Sequence, residues 1–167
     1  MENESLDQPE GLRRHIPQML NIVFTQMRYP VDFSYEYDDE IDIEEEQYRV
    51  EVGKLFTKLV RAAQTTCLQF IVEAVGQWLA ENSHVPIHQA PTPDLEATLR
   101  LLYKYCEGVK PSPGLKVVMR DETFCAMLVA LHRSTVTDHP HREVLCWYFE
   151  VTIRYYPIFQ KSEYSHL

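Results

Sequence analysis

Three helical segments of this sequence begin near Glu46, Pro93 and Pro140, each 47 residues after the one before, although the stretches between them differ greatly in composition. A pair of helices recurring at about 40 to 47 residues is the period of HEAT-type solenoids, in which a hairpin buries its apolar face only by stacking on the next. The helices themselves are legible in the spacing of apolar residues. Leu12, Ile16, Leu20, Val23, Phe24 and Met27 recur at three- and four-residue steps, which places them on one face of a helix. Pro17 fits best in a first turn, so the firm part of this helix is expected from Ile16 until Tyr29-Pro30 ends it. Tyr48, Val52, Leu55, Phe56, Leu59 and Ala63 form a second stripe. Leu68, Ile71, Val72, Val75 and Leu79 form a third, behind a cap at Thr65 or Thr66. Thr92-Pro93, a capping hydroxyl followed by proline at the first helical position, opens a fourth that carries Leu95, Leu99, Leu102, Tyr103 and Cys106. "VKPSPG" must then be a loop. A fifth helix is expected from about Asp121 through Phe124, Leu128 and Leu131 to about Val136. A sixth starts at His139-Pro140, carries Leu145, Tyr148, Phe149, Thr152 and Tyr155, and stops at Pro157.

These spacings predict an all-α chain built as an α-α superhelix of about three HEAT-like helical hairpins. A polar tail over 1–11 precedes a repeat domain over 12–167, whose hairpins are 12–63 (12–28 with 44–63), 66–107 (66–81 with 92–107) and 121–156 (121–136 with 140–156). A closed bundle is the alternative. The last helix, "REVLCWYFEVTIRYYPIF", carries aromatics on more than one side, whereas the end of a complete solenoid needs a polar outer face. A missing neighbour is expected there, and with it a fragment of a longer array.

The connection between the first two helices, 29–46, is acidic. Between Arg28 and Arg49 there is no Lys or Arg, while Asp32, Glu36, Asp38, Asp39, Glu40, Asp42, Glu44, Glu45 and Glu46 supply nine carboxylates. The chain holds 25 acids against 16 bases, so without these nine it is balanced and the net charge of −9 is local. A local excess points to a partner surface or a solvated loop. Val31, Phe33, Tyr35 and Tyr37 alternate with polar residues, the period of an extended segment, and are expected to pin the start of this loop while the acids face outward. "DDEIDIEEE" lacks the central glycine and ligand spacing of an EF-hand.

Other chemistries find little support. There are five glycines and neither a Gly-x-Gly-x-x-Gly nor a Gly-x-x-x-x-Gly-Lys phosphate loop. The acidic start "MENESLDQPEG" does not resemble a signal peptide, and no apolar run approaches the roughly 18 residues of a membrane span, so a soluble intracellular protein is expected. Cys67, Cys106, Cys125 and Cys146 fall inside helical apolar patterns and read as small buried hydrophobes. His84, His88, His132, His139 and His141 have no accompanying Cys-x-x-Cys and read as ordinary surface histidines; no metal site is expected. Cys125 with His132, or Cys146 with His141, would make a nucleophile pair only if the thiol were exposed, and no catalytic or cofactor-binding residue is assigned. For nucleic acid the sequence offers Arg13-Arg14 and a modest basic group, Lys104, Lys110, Lys116 and Arg120, around the "VKPSPG" loop.

The order "IPQMLNIVFTQMRYP", an acidic connection, "EEEQYRVEVGKLFTKLV" and later "LEATLRLLYKYCEG" resembles the central repeats of the karyopherin-β nuclear transport receptors. Glu45 and Glu46 before Tyr48-Arg49, and "FEVTIRYYPIF" further on, make the chain most similar to the tRNA exportins, exportin-T, over about 12–167. The resemblance implies an internal part of a much longer solenoid and a monomeric, non-enzymatic receptor without cofactor or membrane insertion. Such a receptor shuttles between nucleus and cytoplasm and exports tRNA coupled to Ran in its GTP form, with nucleoporins as further partners. It implies Ran, or another basic surface, as the partner of Glu36, Asp38, Asp39, Glu40, Asp42, Glu44, Glu45 and Glu46, and RNA backbone as that of Lys104, Lys110, Lys116 and Arg120. A HEAT-type scaffold, a karyopherin with another cargo, or a small-molecule enzyme in a six-helix bundle are the alternatives.

Overall fold

The computed structural model of the chain describes residues 10–30, 33, 40–109 and 114–160. Among these residues there are eight α-helices, two 3₁₀ turns and no strand. In chain order the helices are α1 (Glu10–Met27), α2 (Glu40–Ala62), α3 (Gln64–Glu81), α4 (Thr92–Gly108), α5 (Gly114–Val118), α6 (Glu122–Arg133), α7 (Arg142–Arg154) and α8 (Tyr156–Phe159). The 3₁₀ turns are η1 (Ile87–Gln89) and η2 (Val136–Asp138).

The helices lie in two rows. α1, α3 and α6 pack side by side in one row and α2, α4 and α7 in the other, while α1 packs on α2 and α3 on α4 across the rows. The last pair is joined through η2, which touches both α6 and α7. The principal contacts therefore fall within a hairpin or between successive hairpins, the pattern of an open stack. Burial follows helical periodicity. α1 buries Ile16, Leu20, Val23 and Met27, α3 buries Cys67, Ile71, Val75 and Trp78, and α7 buries Val144, Tyr148 and Val151. α4 is different because it packs on α1, α2, α3 and α7 at once. Its residues 95–102 are buried without a break, and that run includes Glu96 and Arg100. Over that run the helix has no solvent face on which to place a charge, so Glu96 and Arg100 must find their partners inside.

Several helix ends fall elsewhere than the sequence suggests. α1 begins at Glu10 and carries Pro17 in its interior, where the burial of Ile16 and Leu20 offsets the one backbone bond the proline cannot donate. α2 starts at Glu40, so the second half of the expected acidic loop is helix, and acidic residues in its first turns suit the positive end of the helix dipole. α2 and α3 are separated only by Ala63, and no side chain caps α3; the threonines at 65 and 66 already lie inside it. The loop after α4 is followed by the short α5, which the sequence did not suggest. Asp121 caps α6 by accepting the Phe124 N–H at 2.8 Å. α6 ends at Arg133, and Thr135, at φ 60°, turns the chain into η2 before α7 starts at Arg142. Pro157 stands in the first turn of α8 and does not end α7.

Candidate functional site

The acidic stretch, the end of α1 and the inward charges of α4 meet in one place. Glu46 and Arg49 lie one turn apart on α2, and Glu96 and Arg100 one turn apart on α4. Because α2 and α4 pack in the same row, the four form one network. Arg100 grips Glu46 with both terminal nitrogens, at 2.5 and 2.9 Å. Arg49 reaches three ways: its Nη2 donates to Glu96, its Nη1 to Glu46 at 3.2 Å, and its Nε to the Met27 carbonyl at 2.6 Å, the last carbonyl of α1. The Tyr29 hydroxyl donates to Glu46 at 2.5 Å, and the Tyr29 ring lies under the Arg49 guanidinium, 3.4 Å from its centroid. Arg100 also stands 5.0 Å over the ring of Trp147 on α7. One network thus ties α1, α2, α4 and α7.

Its electrostatics are uneven. Burial raises the Glu46 carboxyl, but the Arg100 and Tyr29 hydrogen bonds and the Arg100 and Arg49 charges outweigh burial and hold it below the usual range. Burial pushes the Glu96 carboxyl up, against the pull of Arg49 and Arg100. Glu96 is wholly buried, and neither its Oε1 nor the Nε of Arg100 makes a hydrogen bond.

The acids assigned to a partner surface therefore separate. Glu46 is half-buried and its carboxylate is held by Arg100, Arg49 and Tyr29, so it anchors the network instead of standing free. The reason is that Arg49 and Arg100, both buried, require a carboxylate at its position. Glu45 is half-buried, Glu44 is exposed, and Glu40 and Asp42 lie in the opening turns of α2. Glu36, Asp38 and Asp39, like Asp32, fall outside the described residues. Of the alternating aromatics, Phe33 stacks on Tyr29 with centroids 3.9 Å apart, while Val31, Tyr35 and Tyr37 also fall outside. A cleft of about 980 Å³ opens beside this stack, between the end of α1 and the start of α4. Glu45, Phe33 and His141 line it, and an Arg28–Asp94 ion pair of 2.8 Å crosses it.

The basic residues also regroup. Lys104 lies in the second half of α4. It lines a cleft of about 370 Å³ against α2, with Lys54, Lys58 and Arg61. Its stem lies 3.4 Å from the point where a Cβ on Gly53 would sit, so the bare backbone there lets it lie close to α2. Lys116 and Arg120 are exposed and line no part of this cleft, and Lys110 falls outside the described residues. Lys54, Lys58 and Arg61 went unnoticed in the sequence because Lys104 is more than forty residues away. Their spacing of four and three along α2 is the signal that could have found them.

Two further expectations need correction. Cys146 is exposed, because α7 turns Val144, Tyr148 and Val151 inward and position 146 lies about 200° round from 144. The other three thiols are buried, and burial pushes Cys67 up to about 12 and raises Cys106. His139 is buried, not at the surface: its Nε2 lies 3.4 Å from the Ala90 carbonyl, its Nδ1 accepts the His141 N–H, and the His141 Nδ1 accepts the Glu143 N–H to cap α7. Cys125 and His132 are not brought together, since the thiol donates to the Met119 carbonyl and the imidazole meets the Tyr148 hydroxyl. Among the described residues no group of three His, Cys, Asp or Glu is placed to hold a metal ion, and no helix is long and apolar enough to cross a membrane.

Two rows of antiparallel helices, stacked hairpin on hairpin, place the chain among the α-helical repeat proteins. The family model of Exportin-T matches residues 2–165, and the chain belongs to the Exportin-T family. It is similar to the Exportin-T of Podospora anserina, 24% identical over 162 residues that cover 93% of this chain and 16% of the relative. The Exportin-T of Neurospora crassa is 24% identical over 162 residues, 91% of this chain and 15% of the relative. That of Chaetomium globosum is 22% identical, over 93% of this chain and 16% of the relative. The chain thus spans about one sixth of the length of the curated relatives it matches. No solved structure matches it significantly.

Proposed function

We propose that this chain is a segment of a nuclear export receptor that carries tRNA from nucleus to cytoplasm together with Ran in its GTP form. Membership of the Exportin-T family is the observation that carries this reading. The segment acts as a carrier and not as an enzyme, within a monomeric receptor that shuttles between the two compartments and meets nucleoporins on the way. Its repeats are the hairpins 12–63, 66–107 and 121–156. The acids before and at the start of α2, Glu36, Asp38, Asp39, Glu40, Asp42, Glu44 and Glu45, face the basic surface of Ran. Exposed pairs of this kind contribute under about 1 kcal/mol each and are screened by salt, so the stretch steers and orients the partner more than it holds it. Behind it, the network around Glu46 joins the anchoring end of the stretch to α4 and α7. A partner that straightens or bends the stack at one hairpin is thereby felt at the next, and two ligands that favour the same curvature help one another.

Capture of Ran on immobilised full chain tests the reading. GTP-loaded Ran is expected to be retained in preference to the GDP form, more so with tRNA present, and less after Glu36→Gln, Asp38→Asn and Asp39→Asn. Retention indifferent to the nucleotide would remove the export reading in favour of a HEAT-type scaffold.

A further inference from the structure

α2 carries its two signs of charge at opposite ends. Its first turns hold Glu40, Asp42, Glu44 and Glu45, and its second half holds Lys54, Lys58 and Arg61. A helix dipole favours cations only within about the last turn, which accounts for Arg61 but not for Lys54 or Lys58. The packing of α4 then adds Lys104 to the same side, so four cations from two helices line one cleft. Two carboxylates share it: Glu51 holds Lys54 at 2.6 Å and Glu107 holds Lys104 at 2.8 Å. Among the described residues Lys58 and Arg61 pair with no carboxylate, so the middle of the cleft keeps its positive charge in a chain whose net charge is −9.

We propose that the α2–α4 cleft, with Lys54, Lys58, Arg61 and Lys104, holds the sugar–phosphate backbone of the RNA cargo; this rests on the export reading above. Length favours it. From Lys54 to Arg61 the row rises about 10 Å along the helix, long enough to face successive phosphates of one strand. So does chemistry. Three of the four cations are lysines, compact point charges without the fork that reads base edges, and the cleft has no aromatic ring on which a base could stack. Such a surface binds backbone and is indifferent to sequence.

The test is fluorescence anisotropy of a labelled tRNA with the full chain over a series of salt concentrations. The Lys58→Gln/Arg61→Gln variant removes two exposed charges that hold no other part of the fold, and its thermal melt is compared with that of the parent. The logarithm of the association constant is expected to fall with that of salt, with a slope shallower by about 2 in the variant. Lys116→Gln/Arg120→Gln is expected to leave the slope as it is, and labelled poly(U) to show the same loss as tRNA. An unchanged slope and affinity in Lys58→Gln/Arg61→Gln would overturn the cleft assignment, while the export reading would still be judged on the GTP preference of Ran capture. No tRNA binding by the parent chain, or tighter binding of a polyglutamate peptide than of tRNA, would overturn it as well.

Discussion

Arg49 is the largest of the fully buried side chains among the described residues, and its charge is compensated only by partners inside the fold. Removing one partner of a buried ion pair leaves the other uncompensated, so Arg49→Ala is expected to destabilise the chain by about 3–5 kcal/mol in urea unfolding. Arg49→Met with Glu96→Leu, which deletes both charges, is expected to cost much less than the two single changes together. Near-additivity would show that Arg49 and Glu96 do not depend on one another. Glu46, His139 and His141 shift the pH response in one direction, while the Glu96 carboxyl, pushed up by burial, works against them. Glu46 is held below the usual carboxylate range, so its contribution is present at neutral pH and is lost as pH falls through that lowered value. Burial also lowers His139 and His141, whose neutral Nδ1 atoms accept the backbone N–H groups that start α7. The unfolded chain then binds protons more readily than the folded one, and stability is expected to decline as pH falls below about 6.5. His141→Ser keeps an acceptor at the cap without a titrating ring and is expected to flatten that decline in melts between about pH 7 and 5. Neither role was legible in the sequence, where a histidine beside a proline looks like any loop histidine.

At the scale of the helix, the close approach of α2 and α4 depends on Gly108. A Cβ there would stand 2.5 Å from that of Val60 and 3.0 Å from the Thr57 carbonyl, so the helix ends would have to separate. Gly108→Ala is expected to cost about 1–3 kcal/mol by thermal melt, with part recovered in Val60→Ala/Gly108→Ala. No recovery would mean that the strain lies elsewhere. α7 is tied to α4 by the Tyr155 hydroxyl, which donates to the Leu102 carbonyl at 2.9 Å, and Tyr155→Phe is expected to cost about 1 kcal/mol or somewhat more. The sequence placed Leu145, Tyr148 and Phe149 on the inward stripe of this helix. The structure turns it so that Val144, Tyr148 and Val151 face in and Phe149 is 53% exposed, beside Ile153 and Tyr156. An aromatic-rich helix offers apolar residues on several sides, and only the neighbour it meets selects among them.

In the whole molecule α4 is the common neighbour of both rows, packed on four other helices, while α1 and α6 each stand at an end of their row. Opening a stack from its ends exposes less surface than opening its middle, so hydrogen exchange is expected to be slowest in α4 and faster in α1, α6 and α8. Uniform protection would point to a single closed core. That the chain is helical, that its helices come in pairs and that its acidic excess is confined to the stretch 32–46 were written in the sequence, because apolar spacing and local charge are properties of neighbours along the chain. Which carboxylate turned inward to meet Arg49 and Arg100, and which lysines share a cleft with Lys104, were settled only when α2 came to lie against α4. Those partners are about fifty residues apart, and no local rule of spacing or propensity reaches across that distance.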